Sequence, residues 1–318
     1  MISTRFTDLV GCTMPVQQAG MGGITPPSLA AAVSEAGGLG MLGCARPGVN
    51  ATTLEGLIDE VRALTQRPFG VNFIVRAGYD PACIALAART ARVVEFFYTE
   101  PARELVDMVH DGGALVSWQI GSREEAESAQ RVGCDFIIAQ GKAAGGHVRG
   151  VSDTLVLLGE VLNTVDIPVL AAGGIGSGRD VAAMLTAGAD GVRIGTRFIA
   201  ATEASTHSDY VAALISARAE DTEYTEAFST TWPGAPHRVL RSCIKAAEAI
   251  DDDVIGAIAA VDGTPVPVRR FGTFGIDRTT TGTIAAMSLF AGESVGDVTR
   301  VQPAAEIVRD LMEIAQSR

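Results

Sequence analysis

Features that would mark a membrane protein or a nucleic-acid binder are missing from this 318-residue sequence. No apolar run is long enough to cross a bilayer, and the opening MISTRFTDLVGCTMP lacks the basic cluster and apolar core of a secretory signal. Basic residues number 25 against 37 acidic ones, a net charge of −12, which argues against nucleic acid or an anionic membrane as a partner. We therefore expect a cytoplasmic protein whose partner is a small molecule.

Cysteines are few, and their spacing excludes a disulfide-stabilised scaffold. All five lie far apart, none forms a Cys-x-x-Cys pair, and no histidine stands near one at metal-ligand spacing. We expect buried free thiols and no metal site. The chain length fits one barrel-sized domain with an insertion, or two modest domains.

Short apolar runs alternate regularly with amphipathic segments of helical spacing. Helical segments such as PPSLAAAVSEAG and GRDVAAMLTAGAD end at glycines that suit a left-handed cap before the next run. Eight such units are typical of parallel strands covered by helices and favour a closed (β/α)8 TIM barrel, since an open sheet would have more polar edge strands. The predicted strands are residues 15–21, 39–43, 69–75, 93–98, 114–120, 136–141, 168–174 and 191–198.

The regular alternation stops shortly after the eighth predicted strand. Residues 1–201 are predicted to form the barrel, and residues 202–278 contain turn-rich pieces such as STTWPGAPHR, which indicate a smaller inserted lid region after strand 8. Residues 279–318 return to a loop and one strongly amphipathic helix. We expect that helix to pack back on the barrel.

Two glycine-bearing turns, AAGGIGSGRD and VRIGTRF, follow the last two predicted strands. The carboxyl ends of barrel strands form the functional face, where backbone N–H groups in late turns bind phosphate. Gly173, Gly174, Gly195 and Thr196 are therefore predicted to form an anion pocket, although each glycine taken singly also fits an ordinary tight turn. The GGIGSG turn lacks the lysine of a P-loop and follows the seventh strand, which disfavours a nucleoside triphosphatase or a Rossmann fold.

Four sequence blocks in order resemble the nitronate monooxygenase family, formerly called 2-nitropropane dioxygenases. They are PVQQAGMGGITPPSLAAAVSEAGGLGMLG, PFGVNFIV, AQGKAAGGHVRG and PVLAAGGIGSGRDVAAMLTAGADGVRIGTRF. The resemblance covers roughly residues 12–205, touches the tail at SLFAGESVGDV, and implies an FMN-dependent (β/α)8 barrel. The blocks are specific to this flavin superfamily and less specific to one reaction within it.

The resemblance also implies roles for individual residues. Those that would hold the flavin ring and ribityl chain are Met21, Gly22, Asn72, Gln140 and Gly145. Those that would take the FMN phosphate are Gly173, Gly174, Gly195 and Thr196, the residues of the anion pocket. His147 would stand over the flavin as general base, because an imidazole titrates near neutrality and takes a proton from a carbon acid under working conditions. Gly145 and Gly146 would let the backbone approach a flat ring without a Cβ in the way.

Other residues near these blocks depart from the family pattern or have open roles. Gln119 stands where better-known nitronate enzymes often have histidine, and we take it as a candidate substrate-binding residue. Arg149 is a second candidate, because it would attract an anionic nitro or carboxylate group, unless it is a solvated loop arginine. Lys142 is followed by Ala143 where many relatives have glutamate, which alters the charge near His147.

The remaining histidines and the tryptophans carry no pattern of their own. His110, His207 and His237 fit no partner pattern, and we expect them to be structural. Trp118 and Trp232 either wall a pocket or pack in the core, and core packing is the usual role of an aromatic residue.

The resulting hypothesis is an enzyme that uses FMN and O2 to convert alkyl nitronates, with nitroalkanes as an open second class, into a carbonyl compound and nitrite. An FMN-dependent NAD(P)H reductase on the same scaffold, similar to enoyl-acyl carrier protein or quinone reductases, stays open, although no second dinucleotide fingerprint is visible. A flavin-free barrel related to inosine monophosphate dehydrogenase would need a cysteine after the sixth strand, and Cys134 precedes that strand. A non-catalytic binding barrel and a homodimeric assembly also stay open.

Overall fold

Eight parallel strands form a closed barrel in the computed structural model, which describes residues 2–75 and 79–316. Hydrogen bonds link β1 to β9 along one edge, and Gln18 N donates to Leu39 O at 3.0 Å along the other, so the sheet closes on itself. The barrel strands are β1 (Val16–Gln18), β2 (Gly40–Gly43), β3 (Phe69–Ile74), β4 (Val93–Phe97), β5 (Leu115–Ile120), β6 (Phe136–Gln140), β8 (Val169–Ala172) and β9 (Gly191–Ile194). The predicted TIM barrel is confirmed.

Helices cover the barrel in the order that the sequence predicts. Polar caps begin several of them: Asn50 Oδ1 accepts from Thr53 N at 3.0 Å before α3, and Ser177 forms a capping box with Asp180 before α8. The final helix, α12, packs on α2 and α8 and takes the place of the eighth barrel helix. These helices are α1 (Arg5–Val10), α2 (Pro27–Glu35), α3 (Ala51–Leu64), α4 (Pro81–Thr90), α5 (Arg103–Gly112), α6 (Arg123–Val132), α7 (Thr154–Leu162), α8 (Gly178–Thr186), α9 (Thr196–Ile199) and α12 (Ala304–Gln316).

The amino end of the barrel is plugged by α1. The ring of Phe6 packs edge-on against Phe136 with ring centroids 5.3 Å apart, and both side chains are fully buried. Leu39, Met41 and Leu170 complete this apolar plug. Because one end is filled, the barrel offers space for a ligand at the carboxyl ends of its strands.

The lid region contains two small antiparallel sheets and two helices. A short strand after β6, β7 (Gly146–His147), pairs with β11 and so belongs to the first of these sheets. The lid elements are α10 (Ser208–Ile215), β10 (Thr222–Thr225), β11 (His237–Leu240), α11 (Arg241–Glu248), β12 (Val254–Ala259), β13 (Pro265–Arg269) and β14 (Thr281–Gly282), with 3-10 turns at Ala219–Asp221, Ile284–Ala286 and Glu293–Asp297.

The lid extends further along the chain than the expected boundary at residue 278. Strand β14 pairs with β12, and Ile284, Val295 and Val298 are buried in the same apolar cluster as the lid helices. The lid therefore continues to Val298. The pairing partner of β14 lies more than twenty residues earlier in the chain, so the local sequence pattern after residue 278 does not reveal this contact.

The described residues contain neither a membrane-spanning helix nor a metal-binding cluster. In residues 2–75 and 79–316, no helix combines the length and apolar character that a membrane span requires. Within the same ranges, no group of three or more histidine, cysteine or acidic residues lies close enough to hold a metal ion. All five cysteines are free thiols.

The packing of α2 on β2 generates a stability prediction. A Cβ added at Gly40 would lie 1.9 Å from Ala30 O, a backbone atom that has no freedom to move aside. Gly40→Ala should therefore reduce the free energy of unfolding by about 3 kcal/mol or more. Urea denaturation monitored by circular dichroism measures this change.

The control for Gly40→Ala is Gly56→Ala on the exposed face of α3. A Cβ at Gly56 meets no atom within 4 Å, and alanine favours the helix, so this variant should be more stable by about 0.5 to 1 kcal/mol. Equal effects at the two sites would contradict the packing described here.

Candidate active site

A cavity of about 280 Å³ opens at the carboxyl ends of the strands, beneath the lid. The barrel supplies its floor and one wall, and lid residues such as Trp232, Phe274 and Phe290 supply the rest. The predicted site residues that line it are Met21, Gly22, Asn72, Gln119, Gln140, Gly145, His147, Gly173, Gly174, Gly195 and Thr196. Residues that are far apart in the sequence thus meet around one space.

The cavity floor is built on a buried carboxylate, Glu95, in the middle of β4. Its Oε1 accepts from Asn72 Nδ2 at 2.7 Å and from Arg193 Nη2 at 2.8 Å, and its Oε2 accepts from Gln17 Nε2 at 2.8 Å. Arg193 also donates to Gln119 Oε1. Five strands therefore contribute one polar side chain each to a single network.

The network contains one negative and one positive side chain, Glu95 and Arg193, and both are buried. Burial lowers the pKa of Arg193 below its usual value, and the adjacent Glu95 carboxylate offsets part of this decrease. An arginine in hydrogen-bond contact with a carboxylate keeps its proton, so we assign an ion pair. Sequence analysis missed both residues, although a charged side chain inside each of the apolar runs VVEFF and GVRIG was a usable signal.

His147 forms part of the cavity roof and is held by backbone pairing. Strand β7 lies antiparallel to β11, with His147 opposite His237, and Val148 N donates to Pro236 O at 2.9 Å. The imidazole stacks on Trp232 with ring centroids 3.9 Å apart and contacts Phe290 at 5.5 Å. Trp232 is therefore a cavity wall, the first of its two expected roles.

A strained aromatic residue supports this roof from behind. Tyr98 has a φ of 66°, an uncommon backbone conformation for a bulky residue, and its ring lies 5.9 Å from that of His147 and 4.5 Å from that of Trp232. Trp118, in contrast, is fully buried, and its Nε1 donates to Thr99 O at 3.0 Å. Trp118 thus has the core-packing role.

His237 is a fully buried residue with a fixed tautomer. Its Nδ1–H donates to Ala235 O at 2.9 Å, and its Nε2 accepts from Phe228 N at 3.2 Å. Burial lowers the pKa of His237, which keeps the ring neutral. Because His237 is the ladder partner of His147, its hydrogen bonds help to fix the strand that carries the roof imidazole.

Arg149 lies outside the described cavity lining. Its guanidinium donates to Glu100 Oε1 at 2.6 Å, pairs with Glu125, and lies 5.5 Å from the centre of the Tyr98 ring. Two carboxylates thus engage the positive charge that the sequence suggested for a substrate anion. Lys142 pairs with Asp153 at 3.2 Å on the outside of the loop.

The glycines predicted near a flavin have separate structural causes. Gly173 and Gly174 have φ values of 106° and 72°, which favour glycine. A Cβ at Gly145 would lie 2.5 Å from Gly292 N, so the close approach of the lid backbone requires glycine at this position. At Gly195 an added Cβ would meet Ala19 Cβ at 3.5 Å, an ordinary contact, so packing does not require glycine there.

The donor and acceptor groups around the cavity fit a flavin. Buried Gln140 Oε1 has no hydrogen-bond partner among the described residues, although its Nε2 donates to His147 O at 3.1 Å. An acceptor in this position suits the N–H group of a flavin pyrimidine ring. The positive-φ turn at Gly173 and Gly174 also suits an anion.

Similarity to known proteins shows the family to which the chain belongs. The family model described as nitronate monooxygenase matches residues 3–84 and 79–313. The chain belongs to the nitronate monooxygenase family. The family and enzyme class that the sequence predicted are confirmed, and the family implies a flavin cofactor.

Relatives in this family carry more than one name. Nitronate monooxygenase of Pseudomonas aeruginosa is 32% identical, over 98% of this chain and 99% of its own length. The (3aS,4S,5R,7aS)-5-hydroxy-7a-methyl-1-oxo-octahydro-1H-indene-4-carboxyl-CoA dehydrogenase of Rhodococcus jostii is 39% identical, over 81% of this chain and 71% of its own length.

Solved structures give the same picture. FabK from Thermotoga maritima superposes with a TM-score of 0.83 at 30% identity and covers 100% of this chain and 97% of its own. Nitroalkane oxidase from Streptomyces ansochromogenes has a TM-score of 0.77 at 29% identity and covers 99% of both chains. Each of these two structures matches nearly the whole of this chain, barrel and lid included.

Buried His237 predicts a pH-dependent stability. An unfolded histidine has a pKa of about 6.5, and the folded value is lower, so stability is complete above that pH and is lost as pH falls toward the folded pKa. His237→Phe should remove this part of the pH slope and lower stability at pH 7.5 by about 2 to 3 kcal/mol, because Phe228 N and Ala235 O lose their partners. Thermal denaturation between pH 5.5 and 7.5 measures both effects.

The control is Gly56→Ala, which changes no titratable group. This variant should keep the wild-type slope. A His237→Phe variant with an unchanged slope would show that another group causes the acid sensitivity.

Proposed function

We propose that this chain binds FMN in the cavity and oxidises alkyl nitronates with O2 to a carbonyl compound and nitrite. The observation that carries the proposal is the placement of the His147 imidazole at the cavity, beside a glycine-rich turn suited to a phosphate and an amide oxygen suited to a flavin ring. Membership in the nitronate monooxygenase family supports it. A bound flavin supplies electron transfer between substrate and O2.

The proposed cofactor contacts divide between two parts of the cavity. Gly173, Gly174, Gly195 and Thr196 would take the phosphate, and Thr196 is oriented by a hydrogen bond that its Oγ1 accepts from Gly292 N at 3.0 Å. The residues that would hold the ring and ribityl chain are Met21, Gly22, Asn72, Gln140 and Gly145. The lid would cover the bound group and exclude water.

His147 has the proposed role of general base for neutral nitroalkanes. Stacking on Trp232 and pairing of its strand with β11 fix the imidazole at the cavity. A nitroalkane must lose a proton from the carbon that bears the nitro group, whereas a nitronate has already lost it. The imidazole is therefore required for one substrate form and dispensable for the other.

Replacing the imidazole tests this role. His147→Asn should lower kcat/KM for a nitroalkane by about 10²- to 10⁴-fold and that for the matching nitronate by less than about tenfold. Oxygen consumption with nitroethane and with ethyl nitronate measures both values.

His207→Asn is the matched control. His207 Nδ1 caps α10 by accepting from Asp209 N at 3.1 Å, a role that asparagine also fills, so both rates should stay at the wild-type level. Equal losses on the two substrates in His147→Asn would remove His147 from the base role.

The phosphate position is tested at Gly195. Because an alanine Cβ there meets only ordinary contacts, Gly195→Ala should fold normally. If the FMN phosphate packs against this residue, FMN affinity should fall about tenfold or more, equal to about 1.4 kcal/mol, while riboflavin affinity stays the same. Fluorescence titration of the apoprotein with each ligand measures the ratio, and Gly296→Ala, at an exposed lid glycine, is the control.

Dehydrogenation of a carboxyl-CoA compound is a second candidate, because the Rhodococcus jostii relative with that name shares 39% identity. Reduction of the bound flavin by NAD(P)H is a third candidate activity, and one anaerobic experiment tests all three. Of the three compounds added under anaerobic conditions, only the nitronate should bleach the flavin absorbance of the purified protein. Bleaching by NADH or by a carboxyl-CoA compound, with no response to nitronates, would reverse the order of the candidates.

A further inference from the structure

The cavity floor contains a positively charged side chain, Arg193, that has no role in the function proposed above. Arg193 lies on β9, two residues before the predicted phosphate turn, and its side chain is 7% exposed. That side chain lines the cavity, whereas its ionic partner Glu95 is 0% exposed and is not part of the described lining. A ligand in the cavity is therefore closer to the positive member of the pair than to the negative one.

Glu95 has no remaining role as a group that contacts a ligand. Its two oxygens accept from Asn72, Arg193 and Gln17, from three different strands, at 2.7 to 2.8 Å. This geometry holds the carboxylate immobile behind the guanidinium. Glu95 thus sets the position and rotamer of Arg193.

Arg193 still has donors to offer. A guanidinium carries five N–H groups, and the hydrogen bonds described here, to Glu95 Oε1 and Gln119 Oε1, use two of them. The planar group cannot lose its proton at working pH. It therefore presents a permanent positive edge to the cavity in a site of low dielectric constant, where a charge acts more strongly than in water.

The geometry points to Arg193 as the residue that stabilises negative charge on the bound flavin, with Glu95 as its positioning residue. This inference rests on the proposed cofactor. Reduction adds electron density to a flavin, and a fixed cation beside the ring lowers the free energy of the more negative redox state. Arg193 should therefore make the protein bind reduced FMN more tightly, relative to oxidised FMN, than it would without this charge.

A charge-neutral double variant separates this role from simple ion-pair stability. Either single neutralisation leaves one buried charge without its partner, whereas Arg193→Met with Glu95→Gln removes both charges together. In the double variant the preference for reduced over oxidised FMN should fall at least tenfold. For a two-electron couple that change equals a decrease of about 30 mV in midpoint potential, measured by anaerobic dye equilibration against free FMN.

The single variant Glu95→Gln should shift the potential in the opposite direction. It keeps Arg193 and removes the charge that partly neutralises it, so the preference for reduced FMN should rise above that of the wild type. Arg193→Lys retains the charge and should stay within threefold of the wild-type preference. A purely structural ion pair would not produce opposite signs in Glu95→Gln and the double variant.

The matched control is Arg238→Met with Glu293→Gln. This ion pair has an N–O distance of 2.9 Å and an arginine side chain 9% exposed, and neither residue lines the cavity. Its removal should leave the midpoint potential unchanged.

The outcomes are distinguishable. If wild-type protein does not bind FMN, the proposed function fails and this inference fails with it. If FMN binds and the double variant keeps the wild-type potential, only the role of Arg193 is overturned. An unchanged potential with a higher KM for nitronate would assign Arg193 to the substrate instead, and would also overturn the inference. Should the double variant not fold, Glu95→Gln decides the question by the direction of its shift, with Arg193→Lys as the variant that keeps the charge and should show no such shift.

Discussion

Closure of the barrel is the constraint on which the site depends. Hydrogen bonds from β1 to β9 and to the chain before β2 bring strands from both ends of the barrel sequence together. Closure directs the polar side chains of five strands into one narrow interior, where they pair with each other beneath the cavity. Because α1 fills the amino end with Phe6, the carboxyl end remains as the place for a ligand. The polar floor of the cavity and the open space above it both follow from closure of the barrel.

The lid contributes the part of the site that the barrel cannot supply. Pairing of β7 with β11 converts the glycine-rich loop after β6 into a short strand with a defined direction, which aims His147 at the cavity. Trp232 and Phe290 then surround the imidazole with apolar surface. A histidine on a free loop would sample many orientations, whereas this one is held by backbone hydrogen bonds and ring contacts. A side chain that acts on a bound ligand needs such rigid support.

This chain places a pair of opposite charges deep in the barrel. The pair Glu95 and Arg193 lies beneath the cavity, and Gln119 is engaged by Arg193 instead of facing a ligand alone. The positive charge of Arg149, in contrast, is already matched by Glu100 and Glu125 at the rim. Electrostatic control thus lies at the floor, which favours an effect on the cofactor over recognition of an anionic substrate tail.

Much of the fold followed from local pattern. Apolar runs separated by capped amphipathic helices predict parallel strands, since burial on both faces leaves no other arrangement for eight such runs. The glycine turns and the GGH element predicted several of the residues that line the cavity, because backbone conformation at a glycine is a local property. Long-range pairing was not predictable in this way. The pairing of β14 with β12, which is distant in sequence, and the approach of Gly292 in the lid to Gly145 are visible only in the folded chain.

The sequence by itself therefore determined the barrel, the family, and the glycine and histidine elements around the cavity. Only the tertiary structure decided which charged side chains are paired at the surface and which face the cavity. Arg149 and Arg193 look alike in sequence, yet one is neutralised by two carboxylates at the rim and the other faces the cavity from a buried pair. The physical reason is that the effect of a charge depends on its distance from other charges and on the dielectric around it, and both are set only when the chain has closed.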